Sequence, residues 1–152
     1  MRITLDDLIV DSSHLDRSTL LSDWAWLIGK RKQPIVVSAI GDAFLHDPVE
    51  GLVYWLDVGQ GQCHKLTDNL EEFDIRLRDK EFALLVLQAT LIVQLRQAGK
   101  TLAPGQVYSF KKPPVIGGDY ILENFQAADI ATHFSTSGRF HRQIKNLIVD
   151  TK

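Results

Sequence analysis

Cys63 is the one cysteine among 152 residues, and that scarcity removes a class of protein. A lone cysteine cannot close an intrachain disulfide, so nothing asks for an oxidising compartment. No stretch reaches the ~20 apolar residues a membrane-spanning helix needs; the longest run, 82–95, is broken by Gln88, Thr90 and Gln94. The first residues carry Asp6 and Asp7 among short apolar pieces and lack the apolar region of an export signal. A cytoplasmic location is the expectation. Neither sign of charge dominates: 17 basic and 19 acidic side chains with a pI near 6.2 supply no overall field for a polyanion, and direct nucleic-acid binding is not expected. Internal repeats, low-complexity tracts and a domain-dividing linker are missing as well. The chain reads as one domain over residues 1–152, a helical segment at 1–34 leading into an α+β body at 35–152, long enough to bury roughly 70% of its unfolded surface.

What is present is periodic. Residues 79–99 form the longest apolar segment and predict a central helix: Phe82, Leu85, Ala89, Ile92 and Val93 fall near helical spacing, and Leu84, Leu87, Leu91 and Leu95 widen the arc. Residues 16–28 predict an earlier helix with a buried stripe of Leu20, Leu21, Trp24, Leu27 and Ile28. Trp26 lies about 200° from Trp24 at ~100° per residue and is expected to be largely exposed. Thr4-Leu-Asp-Asp7 has capping-box character. Over 35–66 the period shortens to that of strands, separated by Gly41-Asp42, by residues 46–51 and by Gly59-Gln-Gly61, which predicts an antiparallel meander. Residues 52–56 are apolar throughout and predict a strand covered on both faces. Asn69 with Glu72 starts a helix carrying Leu70, Phe73 and Leu77 inward. Residues 106–110 and 119–125 predict two further strands, and 136–147 a last helix burying Phe140, Ile144 and Leu147. The fold class is therefore α+β, an antiparallel β-meander sheet packed against a long central helix and several shorter helices.

Candidate chemistry is sparse. Cys63 and His64 are adjacent in a strand and point to opposite faces, so they read as a packed thiol beside a surface imidazole. His14, His46, His64, His133 and His141 show no i, i+4 ligand spacing, and no metal is expected. Gly59-Gln-Gly61 lacks the third glycine of a dinucleotide fingerprint and lies between strands; it reads as a hairpin turn, and no cofactor is expected. Lys30-Arg-Lys32 and Lys111-Lys112 read as solvated charge. No catalytic residue is assigned. Two acidic groups are candidate partner-binding surfaces, with Trp26 as an aromatic anchor. Asp42, Asp47, Glu50 and Asp57 surround the meander, and Glu71, Glu72 and Asp74 start one helix. The plainer reading of the first group is turn chemistry, since Asp bonds its own backbone.

The segment Gln106-Val-Tyr-Ser-Phe-Lys-Lys-Pro-Pro-Val-Ile-Gly-Gly118, followed by Asn124 and by His141-Arg-Gln-Ile144, resembles the type VI secretion immunity family of the Tdi type. Gly41-Asp42 with Phe44-Leu45, Tyr54-Trp-Leu-Asp57 followed by Gly59, and Leu70 with Phe73 occur in that family's order, so the resemblance spans about 41–147. It implies a cytoplasmic protein, not an enzyme, that binds and silences a cognate toxin, often a DNase, delivered by neighbouring bacteria. Larger members carry an extra N-terminal GAD-like domain, for which the residues before Gly41 leave no room, and the family's Leu-Pro-x-Gly ending is missing after Leu147. The alternative is a small intracellular regulatory or scaffold binding module with no toxin partner. Read from its residues, Gly117-Gly118 permits positive φ or close backbone approach, and Pro113-Pro114 fixes the chain entering it.

Overall fold

In the computed structural model, which describes residues 3–150, five antiparallel strands lie side by side in chain order. They are β1 (Ile9–Val10), β2 (Gln33–Ser38), β3 (Ala43–His46), β4 (Val53–Asp57) and β5 (Gln62–Thr67). The turns predicted between β2 and β5 are where the meander needs them, and Gly59-Gln-Gly61 closes the β4–β5 hairpin. β3 is the middle strand, and its side chains alternate between two apolar layers. Phe44 joins Val53, Phe73, Phe82 and Ile92 on one face, whereas Ala43 and Leu45 join Trp24, Leu56, Ile130 and Phe134 on the other. Ala43, Phe44 and Leu45 are fully buried, and His46 at the end of the strand is half-buried. The strand covered on both faces is thus β3 and not 52–56: β4 lies one strand from the edge, with Tyr54 and Trp55 half-buried. A second, two-stranded antiparallel sheet pairs β6 (Gln106–Phe110) with β7 (Phe125–Asp129).

Helices cover both faces of the meander. On the Phe44 side lie α1 (Leu5–Leu8), α3 (Leu70–Leu77), α4 (Lys80–Leu85) and α5 (Ala89–Gln97); on the other lie α2 (Ala25–Ile28) and the long α6 (Ile130–Asp150). The α+β class holds. The capping box at α1 forms, with the Asp7 carboxylate accepting from the Thr4 N–H (2.9 Å) while also meeting Arg96 of α5 (2.7 Å).

Several element boundaries differ from the sequence expectation. The central helix over 79–99 is two helices, because Gln88 takes a left-handed φ of 58° and interrupts it. In one straight helix Phe82, Leu87 and Ile92 would point about 140° apart in succession, so no single face would bury all three. The break lets each reach the core and leaves Leu84 and Leu85 at 44% and 65% exposure. The helix over 16–28 shrinks to a 3-10 turn, Ser22–Trp24, and the single turn of α2. Trp24 is core, as expected. Trp26 is half-buried rather than largely exposed, since its ring stacks on Trp24 (centroids 5.9 Å) and its Nε1–H donates to the Gly138 carbonyl (3.2 Å). Asn69 caps α3 by accepting from the Glu72 N–H (2.7 Å), yet Leu70 stays 46% exposed. The last strand begins at Phe125, where the predicted one ends; α6 starts at Ile130 rather than 136, and of the three side chains expected inward Phe140 and Ile144 are half-buried and Leu147 is exposed.

Candidate partner-binding site

The inward stripe of α6 runs from Ile130 through His133 and Phe134 to Gly138 and His141, all buried. Gly138 lets the helix approach the Ser22–Trp24 turn, where a Cβ would meet the Asp23 carbonyl oxygen at 2.6 Å. Each histidine pins a meander turn to the helix. His133 Nε2 lies 2.7 Å from the Gly41 carbonyl and His141 Nε2 2.8 Å from the Val58 carbonyl. A carbonyl only accepts, so both Nε2 atoms carry the proton, and His133 Nδ1 is left to accept from the Ser109 hydroxyl of β6 (2.8 Å). Burial drives the His133 pKa down to about 4 and lowers that of His141, so both rings are neutral at physiological pH. Ser109 and His133 have the spacing of a nucleophile and its base. A ring of such low basicity is nevertheless a poor proton acceptor at neutral pH, and the trio straps β6, α6 and the β2–β3 turn together.

Between α6, the β6–β7 sheet and the β4–β5 hairpin lies a cleft of about 380 Å³, lined by Ser109, Phe110, Lys111, Pro113, Thr136 and Phe140 among others. The β6–β7 connection, residues 111–124, forms one wall. Asn124 folds it: Oδ1 accepts from the Lys112 N–H (2.8 Å), and Nδ2 donates to the carbonyls of Lys112 and Asp119 (2.9 Å each). The Asn124 carbonyl in turn accepts from the Lys111 N–H (2.7 Å). Pro114–Ile116 makes one 3-10 turn ending at Gly117, whose φ is 99°. Gly118 donates to the Pro113 carbonyl (3.1 Å) and lies so close to the Lys112 carbonyl that no side chain fits there. The Pro-Pro-x-x-Gly-Gly run and the distant Asn are therefore one device: prolines set the turn, glycines permit its closure, and Asn124 stitches the two limbs. Tyr120 packs edge-on against Phe110 (5.1 Å), with its hydroxyl 3.5 Å from Gln60 Nε2 of the hairpin. Val115, Ile116 and Ile121 remain 41%, 47% and 50% exposed.

The acidic residues singled out in the sequence divide into two kinds. Asp47 is fully buried, and its carboxylate accepts from Arg31 (2.8 and 3.1 Å) and from the N–H groups of Val49 (2.9 Å) and Glu50 (3.2 Å). Burial alone would raise its pKa, but these donors outweigh it and hold the group well below the usual carboxylate range. Asp42 is buried too, accepting from Trp55 Nε1–H and the Val58 N–H (3.0 Å each). Burial, followed by the charge of Asp57, pushes its pKa up to about 7. Asp57 is half-buried, with its pKa raised mainly by burial. Of the meander group only Glu50 is exposed, at 39% of its side chain, and its carboxylate accepts from the Tyr54 hydroxyl (2.9 Å) and lies 3.6 Å from Arg31. On α3, Glu71 and Asp74 are exposed and Glu72 half-buried, so this group does form a surface. Trp26 turns toward α6, with Lys145 Nζ 5.2 Å above its ring. Cys63 packs into the core layer around Leu56, while His64 lies against Trp55 (5.5 Å) on the other face. Sequence reasoning misses the apolar tip of the loop; its signal is Val115 and Ile116, held between Pro113-Pro114 and Gly117-Gly118 where a strand is barred, whereas Ile121 is hidden in the stretch read as a strand.

Residues 67–141 match the family model T6SS immunity protein Tdi1, C-terminal. The resemblance to the type VI secretion immunity family of the Tdi type is thereby shown over that stretch. It contains the loop, Asn124 and both helix histidines, and leaves Gly41-Asp42 and Tyr54-Trp-Leu-Asp57 outside. Among solved structures, the chain is similar to the crystal structure of Atu4351 from Agrobacterium tumefaciens, with a TM-score of 0.52 and 18% identity, over 80% of this chain and 60% of that one. The chain thus spans less than two thirds of that protein's length, and a likeness at this identity shows the fold alone. No curated protein matches the chain. Among the described residues, no helix is long and apolar enough to cross a membrane.

Proposed function

We propose that the protein is a cytoplasmic immunity protein, a single domain over residues 1–152, that acts without catalysis by binding and neutralising a cognate secreted toxin. The observation that carries this reading is the family match over residues 67–141. The neutral, internally bonded histidines of the cleft support binding over proton transfer. The toxin we propose is a nuclease. Its DNA-binding face would be basic, and the exposed carboxylates of Glu50, Glu71 and Asp74, with Glu72 beside them on α3, are the groups to meet it. Asp42 and Asp47, by contrast, serve the fold.

Expressing the secreted toxin encoded beside this gene in a laboratory bacterium tests the reading directly. The toxin alone is expected to arrest growth and fragment chromosomal DNA, and co-expression of this protein is expected to restore both. Growth arrest that persists while both proteins accumulate in folded form would overturn the immunity reading. Rescue from a toxin that leaves DNA intact would overturn only the nuclease assignment.

A further inference from the structure

Resting on that reading, we infer that the loop over residues 111–124 is the anchor that holds the toxin: Val115, Ile116 and Ile121 enter an apolar pocket of the toxin, and Lys111 and Lys112 meet carboxylates at its rim. Three β-branched side chains displayed within seven residues, each 41–50% exposed, form an apolar projection that a monomer gains nothing by keeping in water. The projection is rigid before any partner arrives. Asn124 ties Lys112 and Asp119 together, Gly118 is bonded back to Pro113, and Tyr120 is braced on Phe110. Binding through such a loop costs little ordering entropy, which is the condition for a small contact to become a hot spot.

Charge decides what the loop fits. Lys111 and Lys112 are exposed at its stem, and among the described residues neither is ion-paired, not even with the loop's own Asp119 and Glu123. A second copy of this chain seated loop to loop would set these lysines against their counterparts, a like-charge contact that disfavours self-association. A toxin pocket that is apolar at its floor and acidic at its rim satisfies both features. The α3 carboxylates then act at a distance from this anchor, on encounter rate rather than on residence.

The test is calorimetric titration of the purified chain with the purified toxin encoded beside it, using wild type, the pair Ile116→Asp with Ile121→Asp, and the pair Lys111→Glu with Lys112→Glu. The altered side chains are exposed, so melting curves should stay close to wild type. The apolar pair should weaken binding by roughly 30-fold or more, as loss of a hot spot does. The lysine pair should weaken it less, and the loss should shrink at high salt. If either variant fails to fold, the other still reads the same loop. Wild-type binding that a folded apolar pair keeps within ~3-fold, well under a hot-spot loss, overturns the loop assignment and leaves the immunity reading standing. No binding by wild type overturns the immunity reading and the loop with it. A wild-type dimer that the apolar pair abolishes assigns the loop to self-association instead and likewise overturns the inference.

Discussion

At the scale of single residues, Asp42 and His133 support the same β2–β3 turn and titrate against each other. Burial raises the Asp42 carboxyl from 3.8 to about 7, so between those values the folded chain holds a proton the unfolded chain has released. That stabilisation is complete below the unfolded value and is lost as pH rises through the folded one. Burial moves His133 the other way, from 6.5 to about 4; its stabilisation is present above 6.5 and lost as pH falls through the lower value. Each slope reaches at most ~1.4 kcal/mol per pH unit, and over their shared window of about pH 4 to 6.5 they oppose. Asp42→Asn removes one slope. It lowers stability overall by giving up one of the two acceptors for Trp55 and Val58, and its melting temperature should climb with pH across that window more steeply than that of wild type. Parallel profiles would show that Asp42 does not titrate there. The tryptophans make a second residue-level prediction. Trp24→Ala should cost ~3–5 kcal/mol as a core truncation, and Trp26→Ala distinctly less because its ring is only half covered. Equal shifts in denaturant midpoint for the two variants would contradict this ranking.

At the scale of elements, the strands were legible because alternation and turn residues agree, from Gly41-Asp42 to Gly59-Gln-Gly61. The helices were less so. Residues 79–99 are apolar nearly all round, so their periodicity hides a break, and glutamine does not announce a left-handed residue as glycine would. Gln88→Gly should therefore stabilise the protein by ~1 kcal/mol through relief of the left-handed strain, measured against an unaltered Gln88 by chemical denaturation. Lower stability would mean that the Gln88 Nε2 bond to the Leu85 carbonyl (3.3 Å) outweighs the strain. The early start of α6, in contrast, had a signal. Asp129 accepts from the Thr132 N–H (3.0 Å), an N-cap placed just before Ile130. With the helix begun there, His133, Gly138 and His141 fall on one stripe, which a start at 136 conceals. In the loop, Gly118→Ala should lower the melting temperature far more than Ile116→Ala, because its Cβ collides with the Lys112 backbone while Ile116 faces solvent. Equal effects would show that the loop yields to the added methyl.

For the whole molecule, what the sequence exposes is the motif and what it conceals is the motif's use. Pro113-Pro114, Gly117-Gly118 and Asn124 stand out as letters, but the bond from Asn124 back to Lys112 exists only once the two limbs of the loop are brought together. Burial likewise cannot be read from an acidic side chain: Asp47 and Glu50 lie three residues apart and both meet Arg31, yet one is fully buried among backbone donors and the other is exposed at the surface against Tyr54. The surviving surface acids carry their own expectation. Reversing the exposed Glu71 and Asp74 to Lys should slow association with the toxin in a salt-dependent way and leave dissociation nearly unchanged; stopped-flow traces at two salt concentrations that show no change in association would remove the steering role of α3. The central claim, neutralisation by binding, is tested most directly by titrating the purified chain into an activity assay of the purified neighbouring toxin. Activity is expected to fall in proportion to the chain added and to vanish at an equimolar ratio, with the lost activity recovered in the toxin once the complex is separated under denaturing conditions and refolded. Full toxin activity in the presence of excess chain, or toxin that is cleaved or chemically altered after exposure to it, would contradict neutralisation by binding alone.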